Sequence, residues 1–112
     1  MEDCIFCKIV AGEIPAKKIF ENENLIAFFD IAPKAPTHFL VVPKKHISRV
    51  DEMRDSDREL FGEIIFVGQK LAREQNLKGF KMLFNVGPSG GQVVPHVHLH
   101  VLGGGKIDLK SC

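Results

Sequence analysis

At 112 residues, with 45% hydrophobic and 26% charged side chains, the chain has the size and composition of one ordinary globular domain rather than a disordered segment. Fifteen basic against fourteen acidic residues leave a formal charge of +1, which gives no broad electrostatic footprint for nucleic acid. No apolar run is long enough to span a bilayer and the N-terminus lacks the pattern of a signal peptide, so the expected location is cytoplasmic.

In chain order, Ile5, Phe6, Ile9 and Val10 have helical spacing, and Gly12 is placed to cap a short helix over Asp3 to Val10. Cys4, Cys7 and Cys112 are an odd number, which argues against a disulfide framework. Cys4-x-x-Cys7 reads as half of a metal site or as a redox pair, and Cys112 as a free terminal thiol. Ile19 to Glu21 and Leu25 to Asp30 are strand-like runs joined by the turn-forming Asn22-Glu23-Asn24, a hairpin. Pro33 and Pro36 make Ile31 to Pro36 a loop, and the apolar run His38 to Val42 reads as a buried strand delivering Lys44, Lys45 and His46 to its end.

Ser56-x-x-Glu59 has the form of a capping box ahead of a long helix whose apolar positions are Leu60, Phe61, Ile64, Ile65, Leu71 and Ala72. Gly68 lies on that stripe, where it either admits a close approach or weakens the helix. Asn76 and Gly79 end the helix before a strand over Phe80 to Asn85. Gly87 to Gln92 is a loop that either cradles a phosphate through its backbone amides or simply joins two strands.

The most informative stretch is Pro95-His96-Val97-His98-Leu99-His100-Val101-Leu102. In an extended chain successive side chains point to opposite faces, so the histidines share one face and the aliphatics the other. Imidazoles crowded together disfavour each other's charged form, so at least one is neutral near pH 7 and available as nucleophile, base or metal ligand.

These residues, in this order, resemble the histidine triad superfamily, most closely its nucleotide-binding branch. The likeness runs through Cys4 to Ile9, Gly12 to Lys17, Phe28 to Ile31, Ala35 to Leu40, Pro43 to Ser48, Asn85, Gly90 to Gln92 and His96 to Leu102, so it covers nearly all of residues 1–112. It implies an α+β fold: a five-stranded antiparallel sheet with a short N-terminal helix and one long helix, two copies joining their sheets in a homodimer. It also implies a hydrolase that binds purine nucleotides and cleaves nucleoside phosphoramidates at the α-phosphorus, with no organic cofactor. Carried over by position, His98 is the nucleophile, forming a nucleotidyl-histidine, and His100 bonds the phosphate or leaving group. Asn85 and the backbone around Gly91, Gln92 and Val93 steady the phosphoryl oxygens. Phe6, Ile9, Ile14, Phe28 and Ile31 surround the base and Asp30 takes the ribose hydroxyls, although by spacing alone Phe6, Ile9 and Phe28 are equally well core residues.

Two departures stand out. Val93 occupies a position where many phosphoramidases of this branch carry a hydroxyl thought to protonate the leaving nitrogen, and the tail after Gly105 is short and lacks their aromatic terminus. By resemblance to zinc-containing members, Cys4, Cys7, His46 and His96 form a structural zinc site. The alternatives are a catalytically weak nucleotide-binding adaptor, a dinucleoside polyphosphate hydrolase, or a metal-handling protein using all three triad histidines.

Overall fold

The computed structural model describes residues 3–105. Its elements are α1 (Ile5–Val10), β1 (Lys18–Glu21), β2 (Leu25–Phe29), β3 (Thr37–Pro43), α2 (Arg58–Glu74), β4 (Phe80–Leu83) and β5 (Leu99–Gly103). The strands form one antiparallel five-stranded sheet in the order β1-β2-β3-β5-β4. This is the α+β architecture expected.

The sheet is covered on both faces, which is why β3 is apolar at nearly every position instead of alternating. On one face Leu25, Ala27, Phe39, Val41, Leu99 and Val101 pack against Ile64, Val67, Leu71 and Ala72 of α2. On the other, Ile26, Phe28, Leu40 and Val42 pack with Cys4 and Phe6 at the start of the chain. Six residues make a helix too short to persist alone, so α1 depends on this docking.

Gly68 settles as a close approach. A Cβ there would lie 2.7 Å from Leu99 Cδ2 and 2.9 Å from Met82 Cε, so α2 sits tightly over β5 and β4 of its own chain and that stripe is not a subunit face. Ile65 is partly exposed and Phe66 largely so; the apolar stripe is Ile64, Val67, Gly68, Leu71 and Ala72. Asn76, with φ +62°, turns the chain out of α2 in the left-handed conformation that its short polar side chain tolerates.

The Ser56-x-x-Glu59 capping box does not form. A 3-10 turn over Asp55–Asp57 precedes α2, and the Asp57 carboxylate reaches back to accept the Arg54 amide at 2.9 Å and Lys45 Nζ at 2.6 Å. Lys44 pairs with Glu21 at 2.8 Å, so both lysines after β3 are tied to neighbouring elements. The Cys112 thiol and the tail after Gly105 lie outside the described residues. Among the described residues no helix is long and apolar enough to cross a membrane.

Candidate functional site

The ladder of β5 begins at Leu99, one residue beyond His98, because the segment before it makes bonds of its own. The Val97 amide donates to Ile47 O at 2.7 Å and the His96 amide to Val94 O at 2.8 Å. The alternation of faces nevertheless continues through this segment. Val97 joins Leu99 and Val101 under α2, while His96, His98 and His100 are buried on the opposite side.

Two backbone groups fix where the protons of His98, His38 and His100 lie. His98 Nδ1 is 2.7 Å from the His96 carbonyl, which only accepts, so Nδ1 carries the proton and Nε2 keeps its lone pair. The Lys34 amide donates to His38 Nδ1 at 3.1 Å, which puts the proton of neutral His38 on Nε2. That Nε2–H faces His100 Nδ1 at 3.0 Å, so His100 in turn presents an Nε2–H. Burial holds His98 and His38 below the ordinary histidine value, and burial with the neighbouring His98 and His38 brings His100 to about 4. At neutral pH the site therefore offers one nucleophilic nitrogen and one neutral hydrogen-bond donor.

These two rings open into a cavity of about 540 Å³. Its apolar wall includes Phe6, Ile9, Ile14, Phe28 and Ile31; its polar lining includes Asp30, Lys34, Asn85, His98 and His100; and Gly91 and Val93 close the loop side. Phe6 and Phe28 belong to the core and to the cavity wall at once, both being buried and both lining the cavity. Phe6 meets His98 edge-on at 5.0 Å between centroids, fixing the plane of that imidazole. Ile31 and Val93 are almost fully exposed at the rim. Asp30 is anchored by the Ala32 amide on Oδ1 at 2.8 Å, and its Oδ2 lies 3.6 Å from His38 Nε2. Asn85 Nδ2 donates to Gly90 O at 3.0 Å, so it braces the glycine loop. Gln92 does not line the cavity with its side chain.

Behind the triad, Cys4, Cys7, His46 and His96 bring their donor atoms within 4.8 Å of one another. His96 Nε2 donates to Pro43 O at 2.8 Å, which leaves Nδ1 with a lone pair facing His46 Nδ1 at 3.1 Å, Cys4 Sγ at 3.3 Å and Cys7 Sγ at 3.6 Å. Burial holds His96 at about 4, and it is neutral as a ligand must be. Partial burial and the adjacent Cys4 push the Cys7 thiol up to about 11. Two sulfurs and two imidazole nitrogens converging at one partly buried point, with His96 oriented by a carbonyl, fit a tetrahedral divalent ion of the zinc type.

Asp30, His38 and His100 also converge within 4.8 Å, but the Lys34 amide leaves an N–H on His38 where a metal needs a lone pair, so His38 and His100 form a hydrogen-bond relay beside Asp30. His38 is the site residue that motif reading passed over. Its signal was a polar residue at the head of an otherwise apolar strand, on the face it shares with Leu40.

Residues 11–107 match the HIT domain model. An uncharacterised HIT-like protein of Synechococcus elongatus is 41% identical over 95% of this chain and 94% of its own. Among solved structures, a HIT family hydrolase from Legionella pneumophila has TM-score 0.93 and 47% identity, covering 96% of this chain and 98% of the other. A zinc-bound histidine triad family protein from Mycobacterium smegmatis has TM-score 0.85 and 35% identity, covering 98% and 81%. With a matching domain model, near full-length relatives and the histidine strand in place, the chain belongs to the HIT domain family.

Proposed function

We propose that the protein is a hydrolase of purine nucleoside phosphoramidates that works through a nucleotidyl-histidine at His98. The observation that carries this reading is His98 in the lining of a cavity with an apolar wall and one carboxylate, its Nδ1 on the His96 carbonyl, which leaves Nε2 as the nitrogen with a lone pair. A flat base suits the wall of Ile9, Ile14 and Phe28, and the Asp30 carboxylate accepts hydrogen bonds from vicinal ribose hydroxyls. The α-phosphorus then lies over His98.

His98 Nε2 attacks phosphorus and the P–N bond breaks, giving a phosphorylated imidazolium whose Nδ1–H stays on the His96 carbonyl. His100 Nε2–H donates to a phosphoryl oxygen as charge builds there, with the backbone at Gly91 on the other side. The leaving nitrogen takes its proton from water, because Val93 has none to give and His100 is neutral. The hydroxide left by that water attacks the nucleotidyl-histidine at phosphorus and the P–N bond to His98 breaks, releasing the monophosphate and returning His98 to its neutral form.

Cys4, Cys7, His46 and His96 would hold zinc, whose contribution is structural: it fixes His96, the residue whose carbonyl orients the nucleophile. A homodimer is supported by β4 lying at the edge of the sheet and by exposed Phe66 and Phe80. Val93 favours one competing reading, a nucleotide-binding protein with weak turnover, and dinucleoside polyphosphates differ from the proposed substrate only in leaving group.

The test is hydrolysis of adenosine 5′-phosphoramidate. Wild-type protein is expected to release AMP, and His98→Ala to lose turnover while retaining AMP binding. Tight AMP binding by wild type with no release would favour the binding protein, and undiminished turnover by His98→Ala would exclude His98 as nucleophile.

A further inference from the structure

Gln92 has an unusually complete set of bonds for a loop side chain. Its Nε2 donates to Ser48 O at 2.7 Å and to Val94 O at 2.9 Å, and its Oε1 accepts the Gly87 amide at 2.8 Å. Two carbonyls and one N–H allow only this orientation of the carboxamide. The Gln92 amide also donates to Gly87 O at 3.0 Å, so both backbone groups of Gly87 are closed onto one residue. Glycine suits this corner, because φ is +74° and the Arg49 guanidinium packs where a Cβ would stand.

From these contacts we infer that Gln92 is a positioning residue, acting on the reaction through the loop it closes and not by touching substrate. One end of the Gly87-to-Gly91 loop is held by Asn85 on Gly90 O, and the other by Gln92. Ser48 belongs to the segment that presents His46 to the metal cluster and accepts the Val97 amide through Ile47 O. Gln92 therefore sets the distance between Gly91, on the loop side of the cavity, and the segment that carries His98. A shift of this loop moves Gly91, whereas Ile9 and Phe28 of the apolar wall stand on α1 and β2.

This rests on the nucleotide reading above, so the test has one arm that needs no ligand. In ligand-free Gln92→Met, which keeps the volume and removes every side-chain bond, amide exchange at Gly87 to Gly91 should quicken while β5 exchanges as in wild type. In the second arm, AMP affinity should fall about tenfold and turnover roughly 10- to 100-fold, with adenosine affinity unchanged. Unaltered loop exchange would overturn the inference whatever the ligand data say, and so would equal losses for adenosine and AMP, which mark a general weakening of the fold. If Gln92→Met fails to fold, Gln92→Glu, which keeps the acceptor for Gly87 and loses both donors, is held to the same two readouts. Wild-type protein that neither distinguishes AMP from adenosine nor turns over would count against the nucleotide reading alone, since the exchange arm stands apart from it.

Discussion

Three backbone groups, the carbonyls of His96 and Pro43 and the amide of Lys34, decide what the buried imidazoles can do. Chemically identical rings are left with different free nitrogens because Nδ1 donates in His98, Nε2 donates in His96 and Nδ1 accepts in His38, which is what the proposed roles of nucleophile, metal ligand and relay require. The relay makes a prediction of its own: His38→Gln disturbs the proton order on His100 and should lower turnover roughly 10- to 100-fold, with nucleotide affinity little changed. Turnover within twofold of wild type would remove His38 from the mechanism. A pH prediction follows from His100, whose folded value of about 4 lies below the ordinary 6.5. Between those values the unfolded chain binds the extra proton, so stability is lost as pH falls from 6.5 toward 4 and is fully present above that window. The contribution is on the order of 3 kcal/mol. Urea unfolding across that range should show a shallower pH dependence for His100→Gln than for wild type; parallel curves would contradict the assignment.

At the scale of elements, the contact of α2 with the sheet is tested by Gly68→Ala. Alanine improves helix propensity by about 1 kcal/mol, but its methyl meets the fully buried Leu99, and overpacking costs about 1–3 kcal/mol. A net loss near 1 kcal/mol is expected in chemical denaturation, and a more stable variant would show that Leu99 and Met82 yield freely. The same elements show what a sequence carries. The period of two through His96, His98 and His100 was legible because strand parity survives even where the ladder has not begun. The β1–β2 hairpin and the short and long helices were legible from spacing and turn residues. The start of α2 was not, because Asp57 caps backward onto Arg54 and pairs with Lys45, a tertiary partner that Ser56-x-x-Glu59 does not reveal. His38 was hidden because one imidazole among apolar neighbours has no local signature, and its role exists only through Lys34 and His100. Gln92 stands just before the histidine segment in sequence, yet its side chain turns to Ser48, 44 residues away.

At the scale of the whole molecule, the cysteine–histidine cluster joins parts that are distant in sequence: α1, the end of β3 and the histidine segment. Cys4 caps α1, which carries Phe6 and Ile9 of the cavity's apolar wall, so the cluster couples this wall to the segment that orients His98. Removing the metal with a chelator should lower Tm by roughly 10 °C, about 2 kcal/mol, and weaken nucleotide binding together with it. Elemental analysis showing no metal in protein purified without chelator would contradict this role. The central claim is covalent catalysis at His98. Its most direct test is intact-protein mass spectrometry of samples quenched seconds after mixing with adenosine 5′-phosphoramidate. A mass increase of one adenylyl group, mapped to His98 and absent from His98→Ala, is the predicted result. An unmodified protein that nevertheless consumes substrate at every time point, or an adduct on another residue, would contradict it.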